Sequence, residues 1–96
     1  MKKKIEHVNL ENVSPATQAK ACNSLNGAEL RLYLYLLDMA NIFRDGSFRL
    51  DRHEVMNNYG IAIASYQRAL NGLKEKGYLQ KKDGSTLVFD AVGGLK

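Results

Sequence analysis

The chain carries one cysteine and one proline, and no apolar run approaching the length of a membrane span. Each scarcity removes a class of protein. Cys22 alone closes no internal disulfide, and no zinc-spaced set of cysteines and histidines surrounds it. A secreted or metal-stapled scaffold is therefore not expected, and a reducing cytoplasm is. No stretch reaches the roughly 18 apolar residues of a membrane helix, so no membrane partner is expected. The start, MKKKIEHVNL, opens with the cations of a signal peptide but meets Glu6, His7 and Asn9 where an apolar run should follow; it reads as no export signal. Also missing are a Gly-rich phosphate loop, paired carboxylates in a recognisable frame, and any Ser/His/Asp or metal-ligating constellation. Neither an enzyme nor a cofactor is expected.

What is present suits one folded unit. Ninety-six residues, 45% of them hydrophobic, are enough for a single core and too few for two. Lys and Arg number 14 against 10 Asp and Glu, a formal net charge of +4 that suits a polyanionic partner without establishing one. Position matters more than the sum. Between Ile61 and Lys82 stand Arg68, Lys74, Lys76, Lys81 and Lys82 against the single acid Glu75, and a second cluster, Lys2, Lys3 and Lys4, lies at the start.

Along the chain, residues 1–13 read as a basic arm with a short strand around Ile5 to Leu10, residues 14–90 as the folded domain, and residues 91–96, with two glycines, as a flexible tail. Ser14 is placed to cap a helix that has Pro15 at its first position and Ala16, Ala19, Cys22 and Leu25 at helical spacing. Asn26 with Glu29 has the form of a capping box, and the helix that follows to Phe43 is apolar almost all round its axis. Such a coat needs cover on several sides, from a surrounding core or a second copy; a homodimer is favoured. Phe48 and Leu50 alternate in a short extended piece. Asp51 with Glu54 forms a second capping box, and Gly60 stops that helix. The next helix presents Tyr66, Ala69, Leu70 and Leu73 at i, i+3, i+4 and i+7. Finally, Asp83-Gly84 between alternating segments predicts a hairpin with a two-residue turn, pairing Lys82 with Ser85, Lys81 with Thr86 and Leu79 with Val88.

Helix, short strand, helix, turn, helix and basic hairpin, over roughly Leu25 to Asp90, resemble the winged helix-turn-helix family of DNA-binding domains. The run YQRALNGLKEKGYL with its hairpin is similar to the family's recognition helix and first wing strand. The run LNGAELRLYLYLL is similar to the first helix of such domains in plasmid and phage replication or partition proteins. The resemblance implies an α+β, mostly helical fold: a three-helix core and a β-hairpin wing, with an extra strand and helix at the start. It also implies double-stranded DNA as partner, within a larger nucleoprotein complex where the process requires one. The helix from Ile63 to Lys76 would lie in or near the major groove and Lys81 to Thr86 along the backbone or in a minor groove.

The residues depart from that pattern where the helix begins. Ala62 replaces the usual Ser or Thr cap, which forgoes about 1 kcal/mol. Ile63 and Ala64 offer at most contact with a thymine methyl, and Gly72 weakens the helix by about another 1 kcal/mol. Gln67, Arg68 and Asn71 remain as base readers. Lys81, Lys82, Ser85 and Thr86 supply cations and hydroxyls on a stiff turn, with Lys3 and Lys4 as an arm and Arg52 as a phosphate contact. Blander readings stand beside these. Hairpin lysines also protect edges from aggregation, a lysine run at a terminus is often only solvated, and His53 is read as a bystander. Tyr33 and Tyr35 are read as packing residues and Cys22 as buried filler. Two functions follow: a small dimeric duplex-binding protein, acting as a transcription regulator or an accessory in plasmid or phage replication, partition or conjugative transfer; or a winged-helix module that binds another protein and no DNA.

Overall fold

The computed structural model describes residues 3–9, 15–43 and 47–95. It is an α+β structure whose elements run in the order β1 (Lys3–Asn9), α1 (Pro15–Ser24), α2 (Gly27–Ile42), β2 (Ser47–Leu50), α3 (Arg52–Tyr59), α4 (Ile63–Glu75), β3 (Leu79–Lys81) and β4 (Thr86–Asp90). No described helix is long and apolar enough to cross a membrane.

Local chemistry sets most of these boundaries. The Asn26 side chain accepts from the Glu29 N–H at 2.9 Å, and Glu29 Oε1 accepts from the Asn26 N–H at 3.1 Å, which closes the expected capping box. At α3 the second box forms from one side. Asp51 accepts from the N–H groups of His53 and Glu54, while its own N–H donates to the Tyr35 hydroxyl. Gly60 ends α3 at φ 69°, ψ 36°, a left-handed conformation that a side chain would strain, and its carbonyl accepts from Arg31 on α2. The expected cap Ser14 lies outside the described residues.

The four strands form one sheet in the order β2-β1-β4-β3. β1 lies antiparallel to β2, with Lys4 opposite Arg49 and Ile5 opposite Phe48, and parallel to β4, with Lys4 opposite Thr86 and Ile5 opposite Leu87. The strand expected around Ile5 therefore begins at Lys3 and is central. One face of the sheet carries Ile5, Phe48, Leu79, Leu87 and Phe89 into a core shared with Tyr33, Leu36, Leu70 and Leu73. Tyr33 meets the rings of Tyr78 and Phe89 edge-on, at centroid distances of 5.2 and 6.1 Å, geometry that adds about 0.5–1.5 kcal/mol per pair beyond the area buried.

The coat of α2 is covered mainly from within the chain. Leu32, Tyr33, Tyr35, Leu36, Leu37 and Ala40 are buried, whereas Leu34, Ile42 and Phe43 stay exposed. α1 buries Ala21 and the following Leu25. Ala16, Ala19 and Cys22 are exposed, so the cysteine is not core filler. Residues 91–95, expected to trail from the body, are bonded back to it. Asp90 accepts from the N–H groups of Val92 and Gly94, Tyr33 donates its hydroxyl proton to the Ala91 carbonyl at 2.7 Å, and the Leu95 N–H reaches the Gly77 carbonyl.

Candidate functional site

The hairpin forms, with a register one residue away from the expected one. Leu79 lies opposite Phe89, Gln80 opposite Val88 and Lys81 opposite Leu87, and the Lys82 N–H donates to the Thr86 carbonyl. The loop is thus Asp83-Gly84-Ser85, three residues, and Gly84 does not take the positive φ a two-residue turn would ask of it. The cause is the Asp83 carboxylate, which accepts from the N–H of Ser85 at 3.1 Å and of Thr86 at 3.0 Å and folds the loop around itself. The Ser85 N–H foremost, then the Thr86 side chain, hold this carboxyl below its usual range. The Thr86 hydroxyl is accordingly occupied within the loop.

Lys81 and Lys82 follow one another on the strand and so point to opposite faces; the shifted register changes what they meet, with Lys81 opposite Leu87. Side chains alternate along a strand, so Lys81 shares the side of Leu79, where α4 packs, and Lys82 takes the outer face. There Lys82 Nζ lies 3.0 Å from Glu6 Oε2 of β1. Both are partly exposed, and a pair of this kind contributes roughly 0–1 kcal/mol, so it restrains the lysine without locking it.

Lys4 and the hairpin loop, distant in sequence, meet here. The Lys4 N–H donates to the Ser85 carbonyl at 2.9 Å, which fastens the start of β1 to the hairpin loop. Lys3, whose side chain lies outside what the structure describes, pairs through its backbone with Leu50. Lys3 and Lys4 therefore belong to the sheet and do not form a free arm, while Lys2 lies outside the described residues.

On α4, Gln67, Arg68 and Asn71 are exposed, as expected of an outward face. Gln67 donates to Asn71 at 3.3 Å, leaving Arg68 as the cation among the three. Ala62 makes no capping bond, as its side chain requires, and Ile63 is 62% exposed at the first turn. Arg52 is exposed at the start of α3, close enough to the Tyr66 hydroxyl to oppose the rise in its pKa. No hydrogen bond or ion pair among the described residues links the α4 trio to the hairpin.

One member of the basic window is engaged elsewhere. Lys76 Nζ sits 2.5 Å from Glu29 and 2.9 Å from the Ser24 carbonyl, where it ties the end of α4 to the α1–α2 junction. The tyrosines are packed: Tyr33 and Tyr35 are buried, and burial pushes the Tyr33 phenol up to about 12 and raises that of Tyr35. Among the described residues no three His, Cys, Asp or Glu gather to hold a metal ion. Sequence reasoning missed Arg49, which β1 brings beside Lys4, because nothing local in SFRLD announces its neighbour. Comparison with models of protein families, with curated proteins and with solved structures gives no match.

Proposed function

We propose that the chain is a small duplex-DNA-binding protein of the winged helix-turn-helix kind, with α3 and α4 as the helix pair and β3–β4 as the wing. The observation that carries this reading is the hydrogen bond from Lys4 to Ser85, which fastens Lys4 to the hairpin that carries Lys82. A polyanion is the partner that a concentrated positive surface on a fixed backbone attracts most. Lys81, Lys82, Ser85 and Lys4 would meet phosphates, and Arg68 on α4, with Gln67 and Asn71, would meet base edges. In this reading the chain acts as a homodimer in transcription regulation or in plasmid or phage DNA processing. The apolar surface it leaves for a second copy lies at the end of α2, at Ile42 and Phe43.

The test is a salt titration of duplex binding by the wild type and two variants. Lys81→Ala/Lys82→Ala is expected to weaken binding to every duplex alike and to flatten the dependence on salt by about 0.9 for each phosphate no longer neutralised. Arg68→Ala is expected mainly to change sequence preference. Binding that survives the double change and vanishes with Arg68→Ala would overturn the wing-led reading.

A second reading rests on Ile63, Ile42 and Phe43, which are 62%, 69% and 43% exposed. An apolar first turn on α4 suits contact with a protein better than with phosphates. A partner bound there would hold, or bind more tightly, as salt rises, which is the opposite of the duplex result.

A further inference from the structure

Resting on the duplex-binding reading, we infer that the phosphate contact of Lys4 and Lys82 extends across the outer face of the sheet to Arg49: the row runs Arg49, Lys4, Thr86 and Lys82, one residue from each strand or its continuation, with Thr86 as a spacer and Glu6 competing for Lys82. The pairing places these residues side by side. Arg49 is opposite Lys4, Lys4 is opposite Thr86, and the Thr86 carbonyl accepts from Lys82. Directly opposed residues share a face, and this face points away from the core, since Ile5, Phe48 and Leu87 of the intervening positions are buried. Arg49, Lys4 and Lys82 are exposed and Thr86 is half-buried.

Three strand-to-strand steps of about 4.8 Å make the row roughly 14 Å long. Phosphates succeed one another about every 3.4 Å of axis along a DNA strand, so the row is long enough to meet more than one. The next row, Ser47, Glu6, Val88 and Gln80, holds no aromatic ring on which an unstacked base could lie. The chemistry of the face therefore suits the backbone of a duplex and not single-stranded bases. Glu6, 3.0 Å from Lys82, occupies that lysine in the unbound protein as a phosphate would in the complex. Arriving phosphate must displace it, and Glu6 itself then repels the incoming charge.

The experiment compares Arg49→Ala, Glu6→Gln and Lys82→Ala on the full chain, using duplex DNA of random sequence from low to moderate salt. Circular dichroism and thermal melting serve as the check on folding. Arg49→Ala is expected to weaken binding roughly three- to tenfold and to reduce the salt slope by about 0.9. Glu6→Gln is expected to tighten binding about two- to fivefold, the range a surface ion pair allows, and the gain should disappear when Lys82→Ala is added. If Lys81→Ala/Lys82→Ala weakens binding while folded Arg49→Ala and Glu6→Gln leave it unchanged, the row is refuted and the duplex-binding reading stands. If the wild type ignores duplexes at low salt, both fall. Tighter binding of a single strand than of the duplex would refute the inference by itself.

Discussion

Gly72 sits where α4 passes Glu29 of α2, and a methyl group at this position would overlap the Glu29 carboxylate. Read along the helix alone, Gly72 is a weakness; read across the packing, it is the space that lets a buried acid reach the Asn26 N–H and the Lys76 ammonium. The two effects have opposite signs. Alanine gains about 1 kcal/mol of helix propensity, while displacing Glu29 disturbs a cap of about 1 kcal/mol and a charged hydrogen bond of about 1.5–3 kcal/mol. Glu29 is only 6% exposed, so its carboxylate has little room to yield. Gly72→Ala is expected to destabilise by about 1–2 kcal/mol in denaturant unfolding. In a Glu29→Ala background the same change is expected to stabilise, and a sign that does not reverse would disprove the contact.

At the level of elements, what could be read in the sequence was whatever is decided within a few residues. Asn26 with Glu29, Asp51 and Gly60 set helix ends through bonds to their own neighbours, and the alternation on either side of Asp83-Gly84 announced a hairpin. Its register could not be read. Asp-Gly suits a two-residue turn, but the Asp83 carboxylate prefers the N–H groups of Ser85 and Thr86, and that preference adds a residue to the loop. The result bears on the site, because it turns Leu87 and Phe89 to the core in place of Thr86 and Val88 and sets Lys82 beside Thr86 on the outer face. A pH test belongs here. Asp83 has its folded pKa lowered, so its contribution is present above the ordinary aspartate value of 3.8 and is lost as pH falls through the lower folded value. The Ser85 and Thr86 amides are expected to lose exchange protection in that acid range, and Asp83→Asn, which keeps an acceptor oxygen without its charge, should remove the dependence.

For the molecule as a whole, all five tyrosines have raised pKa values, and three reach about 12: Tyr33 and Tyr66 through burial, Tyr59 through its hydrogen bond to Asp38. A folded pKa above the unfolded value of 10.0 means a contribution fully present below pH 10 and gone once pH has risen through about 12. Phenolate absorbance and a fall in helical circular dichroism are expected to develop together in that alkaline window. Tyrosines ionising near pH 10 in a protein still folded would contradict the packing described.

The central place of β1 remained hidden because its partner β4 lies some 80 positions further on, beyond the reach of any local pattern. That placement also sets an order of events during synthesis. β1 keeps one side bare until Thr86 to Asp90 have left the ribosome, and a nascent chain broken off earlier exposes an unfilled edge to chaperones and proteases. Closure of the sheet thus doubles as a check that translation has run past Asp90.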